Sequence, residues 1–268
     1  MSEQPKLKEP RKVMPAPTAW LFEEIRINPL LSPFILIGGT GLSLHIEHRV
    51  SEDLDLITLL PKLPRAALKE LEKQLEKNGH QIEHQVDPDD YDDSQIFGFD
   101  LADSQQNWIA DGAIKLTFFT AAPEHAILLT QTQSEKKNEL GLKIASFKEL
   151  CQLKAIVTAG RSKSRDWLDL FILERDHQFG VAKWKEAFDQ AGLTPMQFEI
   201  ALNRMCKGRL NKSDEGYSSL LPNPPNIEEM QTKFRSLRES YEKSLAKPRA
   251  KQLEKPDGND DTGTPSNP

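Results

Sequence analysis

Two short motifs in the first quarter of the chain contain residue types and spacings that could do chemistry. Gly38-Gly39-Thr40 follows the apolar run of residues 34–37 and precedes a brief amphipathic segment, so the glycines lie between a buried strand and a helix N-terminus. Backbone N–H groups point outward at a helix N-terminus, and glycine lets an anion approach them closely. The motif therefore suits a phosphate group, with the Thr40 hydroxyl as a further donor, although an ordinary glycine turn has the same pattern.

The second motif is a pair of carboxylates, Asp53 and Asp55, in the segment DLDLITLL. Its period of two places both aspartates on one face of a β-strand and Leu54 and Leu56 on the other. Two carboxylates on one face repel each other, and a divalent cation relieves that repulsion while it also binds nucleotide phosphates. Acidic residues are also common on solvent-facing strands, so it is the combination with the glycine turn that indicates a metal–nucleotide site.

A second group of charged residues lies in LCQLKAIVTAGRSKSRDWLDLFIL. Asp166 and Asp169 are three residues apart, so a helix places them on one face. Lys154 lies on the preceding helix, and it would contact a nucleotide phosphate while one aspartate orients a base or the sugar. The structural alternative is that Asp166 favours the helix dipole and Asp169 pairs with a neighbouring basic residue. The segment between the two helices supplies Arg161, Lys163 and Arg165.

The elements that must position these residues change in type along the chain. Strands are predicted at residues 34–37, 53–60, 81–86, 95–101 and 112–119, helices at 18–28, 40–46 and 64–78, and polar connections at 87–94 and 102–107. From Ser146, which forms a capping-box pattern with Glu149, the periodicity is helical. Further helices are predicted at residues 164–176, 181–192, 194–208 and 227–247.

This pattern predicts an α+β fold, with an N-terminal mixed β-sheet core and flanking helices followed by a helical C-terminal part. The core would span residues 18–145 and the helical part residues 146–247. Residues 1–17 are rich in Pro and Lys and are predicted to form a flexible arm. Residues 248–268 are predicted to be a disordered tail.

Composition excludes some classes of function. The net charge of −6 gives no overall basic field, which argues against a sequence-independent DNA coat but leaves room for a local basic groove. No segment has the length and apolarity of a membrane span, and the N-terminus lacks the apolar region of a secretory signal. Cys151 and Cys206 have no paired spacing, so we expect a reducing, cytoplasmic location.

Together the two motifs resemble the signatures of the AbiEii/AbiGii toxin-like nucleotidyltransferases, which belong to the DNA polymerase β-like superfamily. The resemblance covers residues 34–173, with both signatures in the expected order. The matched positions are Gly38, Gly39, Thr40, Arg49, Ser51, Asp53 and Asp55 in the first signature and Lys154, Arg165, Asp166 and Asp169 in the second. The resemblance therefore implies that the N-terminal α+β part is a nucleotidyltransferase core.

The resemblance implies transfer of a nucleoside monophosphate from an NTP to an acceptor, with pyrophosphate leaving. Asp53 and Asp55 would hold Mg²⁺ or Mn²⁺, and the catalytic residues would be Asp53, Asp55, Lys154, Asp166 and Asp169. Nucleotide binding falls to Gly38, Gly39, Thr40, Arg49, Ser51 and Arg165. The family further implies the toxin of a bacterial toxin–antitoxin or phage-defence pair, with a cognate antitoxin as partner and the 3′ end of tRNA as one candidate acceptor.

One departure from the superfamily pattern leaves other functions open. A third carboxylate often lies on a later strand, where it accepts the proton of the attacking hydroxyl. Residues 112–119 offer Lys115 and Thr117 on one face but no acid, and the nearest acids are Asp100, Asp103 and Asp111. Either Asp166 or Asp169 takes the role, or the chain is a nucleotide-binding or partner-binding module without turnover. A transferase that modifies a protein or a small molecule is the remaining alternative.

Two other residue sets are not assigned to chemistry. His45 and His48 are three residues apart, which can suit a metal, but no nearby acid or cysteine completes a site. Trp108, Trp167 and Trp184 are predicted to anchor the core rather than to stack on bases.

Overall fold

Apolar runs and alternating segments in the first half of the chain form one six-stranded mixed sheet. The computed structural model describes residues 7–85, 100–130, 141–212 and 214–253. The strands are β1 Phe34–Leu36, β2 Leu54–Thr58, β3 Ile82–Gln85, β4 Gln105–Ala110, β5 Ile114–Thr120 and β6 Lys143–Ile144. Their order in the sheet is β3-β4-β5-β2-β1-β6.

The helices lie on both sides of this sheet and dominate the second half of the chain. They are α1 Pro10–Val13, α2 Ala16–Ile25, α3 Gly38–Ile46, α4 Arg65–Lys77, α5 Pro123–Leu128, α6 Phe147–Ile156, α7 Ser164–His177, α8 Val181–Gln190, α9 Pro195–Lys207 and α10 Ile227–Leu253. Short 3₁₀ segments lie at Pro29–Leu31, Leu101–Asp103 and Val157–Ala159. The predicted α+β class, with a sheet first and helices after it, is confirmed.

Strand register assigns each side chain of β2 to one of two environments. β2 pairs antiparallel with β1 and parallel with β5, so Asp55 lies opposite Thr117. Leu54 and Leu56 are fully buried with Trp108 and Phe118 in a core that α2 and α4 cover. Asp55 therefore faces the opposite side of the sheet, as the period of two predicts.

That opposite side is covered by the C-terminal helices. Ile35 and Ile57 belong to a second core with Leu150 of α6 and Leu168 of α7. Trp167 and Trp184 also lie in this core and Trp108 in the first, which confirms all three as core residues. Because one apolar core joins the sheet to the helices, α6 and α7 have fixed positions over the N-terminal end of β2, where Asp55 lies.

Helix ends follow the predicted local signals. Ser146 and Glu149 form the expected capping box of α6, and the Ser146 backbone N–H donates to Glu149 Oε2 over 2.9 Å. Thr194 caps α9 and Pro195 occupies its first turn. Among the described residues, none of the helices combines the length and the apolarity that crossing a bilayer requires.

Three sequence expectations need correction. Residues 10–17 are not a mobile arm, because they form α1 and the start of α2, and Val13 and Met14 are buried. Part of the segment predicted as a polar connection belongs to strand β4. Its residues Gln105 and Asn107 line a cavity. Helix α10 continues through Pro248 to Leu253, past the predicted end at residue 247.

Two further expectations concern segments that the structure describes only in part. Most of the strand predicted at residues 95–101 lies outside the described residues, and Leu101 begins a 3₁₀ turn. Of the predicted tail, residues 254–268 lie outside them as well.

Candidate active site

A cavity of about 390 Å³ lies between the polar face of the sheet and the C-terminal helices. The sheet contributes Asp53, Asp55, Gln105, Asn107, Lys115 and Thr117 to its lining. The N-terminus of α3 contributes Gly38 and Gly39, and α6 contributes an apolar strip that ends at Lys154. The cavity thus brings together both predicted motifs, which are about one hundred residues apart in the sequence.

The glycine turn and the carboxylate pair are in direct contact. Gly38 has a φ of +71°, and a Cβ at this position would lie 2.2 Å from Asp55 Oδ2. Only glycine therefore lets the Asp55 carboxylate approach the first turn of α3 so closely. Burial, the charge of Asp55 and that of Glu215 together raise the pKa of Asp53. Nearby basic side chains oppose this rise without reversing it.

The second glycine makes room for an arginine. A Cβ on Gly39 would lie 2.2 Å from Arg49 Nη2 and 2.9 Å from Ser51 Oγ. Arg49 is only 6% exposed, yet it and Ser51 line the cavity beside Gly39. The structure therefore brings Gly38, Gly39, Arg49 and Ser51 together at the cavity.

The position of the Thr40 side chain does not match its predicted role as a phosphate ligand. Its side chain is buried and does not line the cavity. Thr40 Oγ1 donates to the Asp53 carbonyl oxygen over 2.5 Å and lies 2.8 Å from Ser51 Oγ. Thr40 thus fixes the backbone that leads into β2, and its hydroxyl is already used within the protein.

Asp169 is enclosed by three basic side chains. Arg49 Nε and Nη2 donate to its two oxygens over 2.7 and 3.2 Å, and Lys154 Nζ lies 2.7 Å from Oδ2. His48 Nε2 lies 2.8 Å from Oδ1. Burial alone would raise the pKa of Asp169, but the charges of Arg49 and Lys154, together with the contact to His48, hold it well below its usual range. This is the pairing that the structural alternative predicts.

Two sequence interpretations change as a result. Asp169 has no exposed surface and does not line the cavity, and its carboxylate pairs with Arg49 and Lys154. His48 does have an acidic partner, which the sequence could not reveal because Asp169 is 121 residues away. We therefore name these four residues, His48, Arg49, Lys154 and Asp169, the buried charge cluster.

Asp166 extends this cluster to the cavity wall. It accepts from Lys154 Nζ over 3.0 Å and from Arg161 Nε and Nη2 over 2.8 and 3.1 Å. Burial opposes its charge, but Lys154 and Arg161 lower the pKa of Asp166. Burial likewise opposes the Lys154 charge, and Asp169 and Asp166 outweigh it and raise the Lys154 pKa. Lys154 is consequently a fixed ammonium that lines the cavity rather than a base.

Arg165 lies on the other side of the cavity, next to Asp53. Its Nη1 is 3.4 Å from Asp53 Oδ2 and 3.3 Å from Glu215 Oε2, and its Nη2 is 3.0 Å from Glu52 Oε2. Glu215 comes from the segment between α9 and α10, and the sequence offered no motif there that could have identified it. Arg161 and Lys163 also line the cavity without having been assigned to the site.

Residues 20–255 match the family described as nucleotidyl transferase AbiEii toxin, type IV TA system. The chain belongs to the AbiEii toxin family. The family indicated by the two sequence signatures is therefore confirmed.

Individual relatives of this AbiEii chain are distant. An uncharacterised protein of Aquifex aeolicus (strain VF5) is 29% identical over 148 residues, which are 55% of this chain and 61% of that protein. The chain thus matches about three fifths of that relative's length. JHP933 from Helicobacter pylori has 17% identity over 87% of this chain and 96% of that chain, with a TM-score of 0.41. The nucleotidyltransferase toxin MenT4 from Mycobacterium tuberculosis H37Rv has 15% identity, coverage of 81% and 82%, and a TM-score of 0.43.

The strand carboxylate that the AbiEii sequence lacks is not replaced by the nearest acids. Asp103 pairs with Lys62 and Arg65, Asp100 pairs with Arg65, and Asp111 contacts His80. None of the three lines the cavity. Among the described residues, the carboxylates that do so are Asp53, Asp55, Asp166 and Glu215.

The carboxylates of this AbiEii cavity are the groups that could bind a metal ion. Within the described part of the chain, no three His, Cys, Asp or Glu residues converge as a metal cage would require. Mg²⁺ in nucleotide enzymes is typically held by one or two carboxylates together with substrate phosphates. The pair Asp53 and Asp55 fits that mode of binding, since a cation would offset the repulsion between the two carboxylates, which contributes to the raised pKa of Asp53 after burial.

Proposed function

We propose that this chain transfers a nucleoside monophosphate from an NTP to an acceptor hydroxyl and releases pyrophosphate. The observation that carries the proposal is the contact between the Asp55 carboxylate and the glycine turn at the N-terminus of α3. It brings the carboxylates that would bind a cation and the helix end that would bind phosphate into one cavity. Neither feature alone requires the other, whereas Mg-dependent chemistry on a triphosphate requires both.

Fixed positive charge would hold the triphosphate. Arg49, Lys154 and Arg161 line the cavity, and Asp166 and Asp169 hold their charged groups in place. Charge that is positioned before the substrate arrives stabilises the transition state without a reorganisation cost. The outward N–H groups of the first turn of α3 would bind phosphate oxygens beside them.

Asp53 and Asp55 would hold Mg²⁺ or Mn²⁺, which neutralises phosphate charge and activates the incoming hydroxyl when it is bound. The chain's other carboxylates have separate tasks. Asp169 is enclosed, and both oxygens of Asp166 already accept hydrogen bonds from cations. We therefore assign both to positioning the basic side chains rather than to accepting the hydroxyl proton.

The acceptor we propose is RNA, with the 3′ end of tRNA as the first candidate. Arg161, Lys163 and Lys115 line the cavity, and the Arg161 side chain is 46% exposed. Such a rim can contact a nucleic-acid backbone although the whole chain is acidic. As a member of a toxin–antitoxin family, the chain would have a cognate antitoxin, and its site of action would be the cytoplasm.

A nucleotide-binding module without turnover is the second candidate. The observation that favours it is that β4 and β5 present Gln105, Asn107, Lys115 and Thr117 to the cavity and no carboxylate. Calorimetry that detects nucleotide binding, together with an absence of pyrophosphate release, would support this candidate over the transferase.

The transferase proposal is tested by incubating the protein with Mg²⁺, total tRNA and each of the four NTPs labelled at the α-phosphate. We expect labelled RNA and pyrophosphate with the native chain and neither with Asp55→Asn. Asp189→Asn, the same change on α8 away from the cavity, is the matched control and should behave like the native chain. Label in protein instead of RNA would identify a different acceptor, and no labelled product would refute the transferase.

A further inference from the structure

The Arg165 guanidinium contacts four acceptors, three of which are carboxylates. Nε donates to the Gly216 carbonyl oxygen over 3.0 Å, and Nη2 lies 3.0 Å from Glu52 Oε2. Nη1 lies between two carboxylates, 3.3 Å from Glu215 Oε2 and 3.4 Å from Asp53 Oδ2. The contact with Asp53 is the longest of the four.

Arg165 and a bound cation would compete for Asp53. A guanidinium stays protonated throughout the physiological pH range, so Arg165 cannot yield by losing its charge. A divalent cation at Asp53 would therefore meet like charge unless Arg165 moves away from that carboxylate or is neutralised by other acids. Glu52 and Glu215 are the two acids in place to do so.

We propose that Arg165 is the built-in counter-ion of the cation site, which gives up Asp53 when a metal ion binds and is then held by Glu215 and Glu52. The exchange needs only the loss of the longest contact, because Nε and Nη2 keep their partners and Nη1 keeps Glu215. Glu215 is thus a positioning residue for the metal site, supplied by the C-terminal part of the chain. This inference rests on the proposed function, since it concerns the cation pair of that site.

The backbone around Glu215 is fixed at the N-terminus of α7, which also carries Arg165. Asp214 accepts from the Ser164 backbone N–H over 2.7 Å and from Ser164 Oγ over 2.6 Å. The Gly216 N–H donates to Asp214 Oδ1 over 3.0 Å. Both neighbours of Glu215 are therefore anchored, so its carboxylate has a defined position beside Arg165 although it is 49% exposed.

The test measures Mn²⁺ binding to the nucleotide-free full chain, by the loss of the electron paramagnetic resonance signal of free Mn²⁺. We expect Arg165→Gln to bind Mn²⁺ about three- to fivefold more tightly than the native chain, the size of effect that one exposed ion pair produces. Glu215→Gln should bind it about three- to fivefold more weakly for the same reason. In the Arg165→Gln background, Glu215→Gln should change affinity by less than about twofold, because its partner is gone.

Three controls accompany the measurement. Asp53→Asn should abolish Mn²⁺ binding, and Arg165→Lys should remain near the native chain because it keeps the charge. Glu228→Gln, an exposed residue of α10 outside the cavity lining, removes the same charge as Glu215→Gln and should leave affinity unchanged. Circular dichroism and thermal melting establish that each variant is folded.

The inference is overturned if Arg165→Gln leaves Mn²⁺ affinity unchanged or weakens it, or if Glu215→Gln has equal effects in both backgrounds. It is also overturned if neither the native chain nor Arg165→Gln binds Mn²⁺ at millimolar concentration. Labelled product without an effect of Arg165 would refute this inference alone. The opposite result, the expected changes in Mn²⁺ affinity without labelled product, would refute the transferase alone.

Discussion

The chain contains two pairs of aspartates close together, and their surroundings give them opposite properties. Asp53 and Asp55 line an open cavity, and burial together with neighbouring acids raises the pKa of Asp53. Asp166 and Asp169 are almost fully buried, and basic neighbours lower the pKa of both. Basic neighbours do not outweigh burial and like charge at Asp53, whereas they do so at both aspartates of the second pair.

The difference shows how one residue type supplies both a ligand and a scaffold. A carboxylate pair with uncompensated charge gains most from an incoming cation. A pair whose charge is already matched by buried arginine and lysine gains nothing from a ligand but fixes those cations in place. Variants in the two pairs should therefore fail in different ways.

The largest effect is expected in the buried pair. Asp169→Ala leaves Arg49 and Lys154 without their shared partner, and breaking a buried ion pair in this way costs about 3–5 kcal/mol of stability. Urea unfolding at neutral pH measures the change. The control is Asp189→Ala, which removes an exposed carboxylate and should cost little. A loss below about 1 kcal/mol for Asp169→Ala would contradict the role of the buried charge cluster.

For Asp53 and Asp55, the open pair, a variant is expected to lose transfer rate rather than folding stability. Asp55→Asn should lower the rate of pyrophosphate release at least about 100-fold, as the loss of a key electrostatic group in an active site does. Its free energy of unfolding should stay close to that of the native chain. A variant that loses stability but keeps its rate would reverse the comparison between the pairs.

Gly38 connects the open pair to helix α3, and a matched glycine isolates its effect. Gly38 and Gly112 both have positive φ, +71° and +68°, but a Cβ on Gly112 would meet no atom within 4 Å. Each alanine variant should lose about 1–2 kcal/mol from the backbone conformation. Gly38→Ala should lose roughly 1–3 kcal/mol more from the clash with Asp55, as overpacking does.

The two glycine variants should also differ in rate. Gly38→Ala displaces Asp55, because its Oδ2, Cγ and Cβ all lie within 3.3 Å of the added Cβ. Transfer activity should therefore fall in Gly38→Ala and persist in Gly112→Ala. Equal stability and equal rate in the two variants would show that the contact between the turn and Asp55 has no role.

The smallest effect concerns pH and stability at Asp53. Its folded-state pKa is raised, so the charged form is less favourable in the folded chain than in the unfolded one. Asp53→Asn should then raise the free energy of unfolding at neutral pH, by on the order of 0.5 kcal/mol. The gain should disappear as pH falls through the raised pKa, because the native Asp53 becomes neutral there. A variant less stable than the native chain at pH 7 would contradict the sign.

The sequence motifs predicted many of the residues that line the cavity, but not which residues of each motif are buried behind it. The two motifs and their resemblance to a known family predict Asp53, Asp55, Gly38, Gly39 and Lys154 at the site, and these residues line one cavity. Thr40 and Asp169 belong to the same motifs yet are buried behind its wall. A motif fixes which residues lie together, but exposure depends on what packs over them.

Some elements were missed because their signals are not local. β4 reads as a polar connection, since Gln105 and Asn107 face a polar cavity, and only pairing with β5 makes the segment a strand. Glu215 comes from a segment without regular structure, and its approach to Asp53 depends on how the C-terminal helices fold back. Glu215 lies 162 positions from Asp53 in the sequence, and local periodicity carries no information about their proximity.

By itself the sequence determined the α+β class, the family and the face of β2 that carries Asp53 and Asp55. The class and the strand face depend on period-two and period-3.6 patterns and on capping residues, which act over a few neighbouring positions, whereas the family depends on the match to its signatures. Only the tertiary structure decided that the Asp169 carboxylate contacts His48, Arg49 and Lys154, and that Arg165 lies against Asp53. The physical reason is that charge compensation depends on distance in space and burial, and folding sets both.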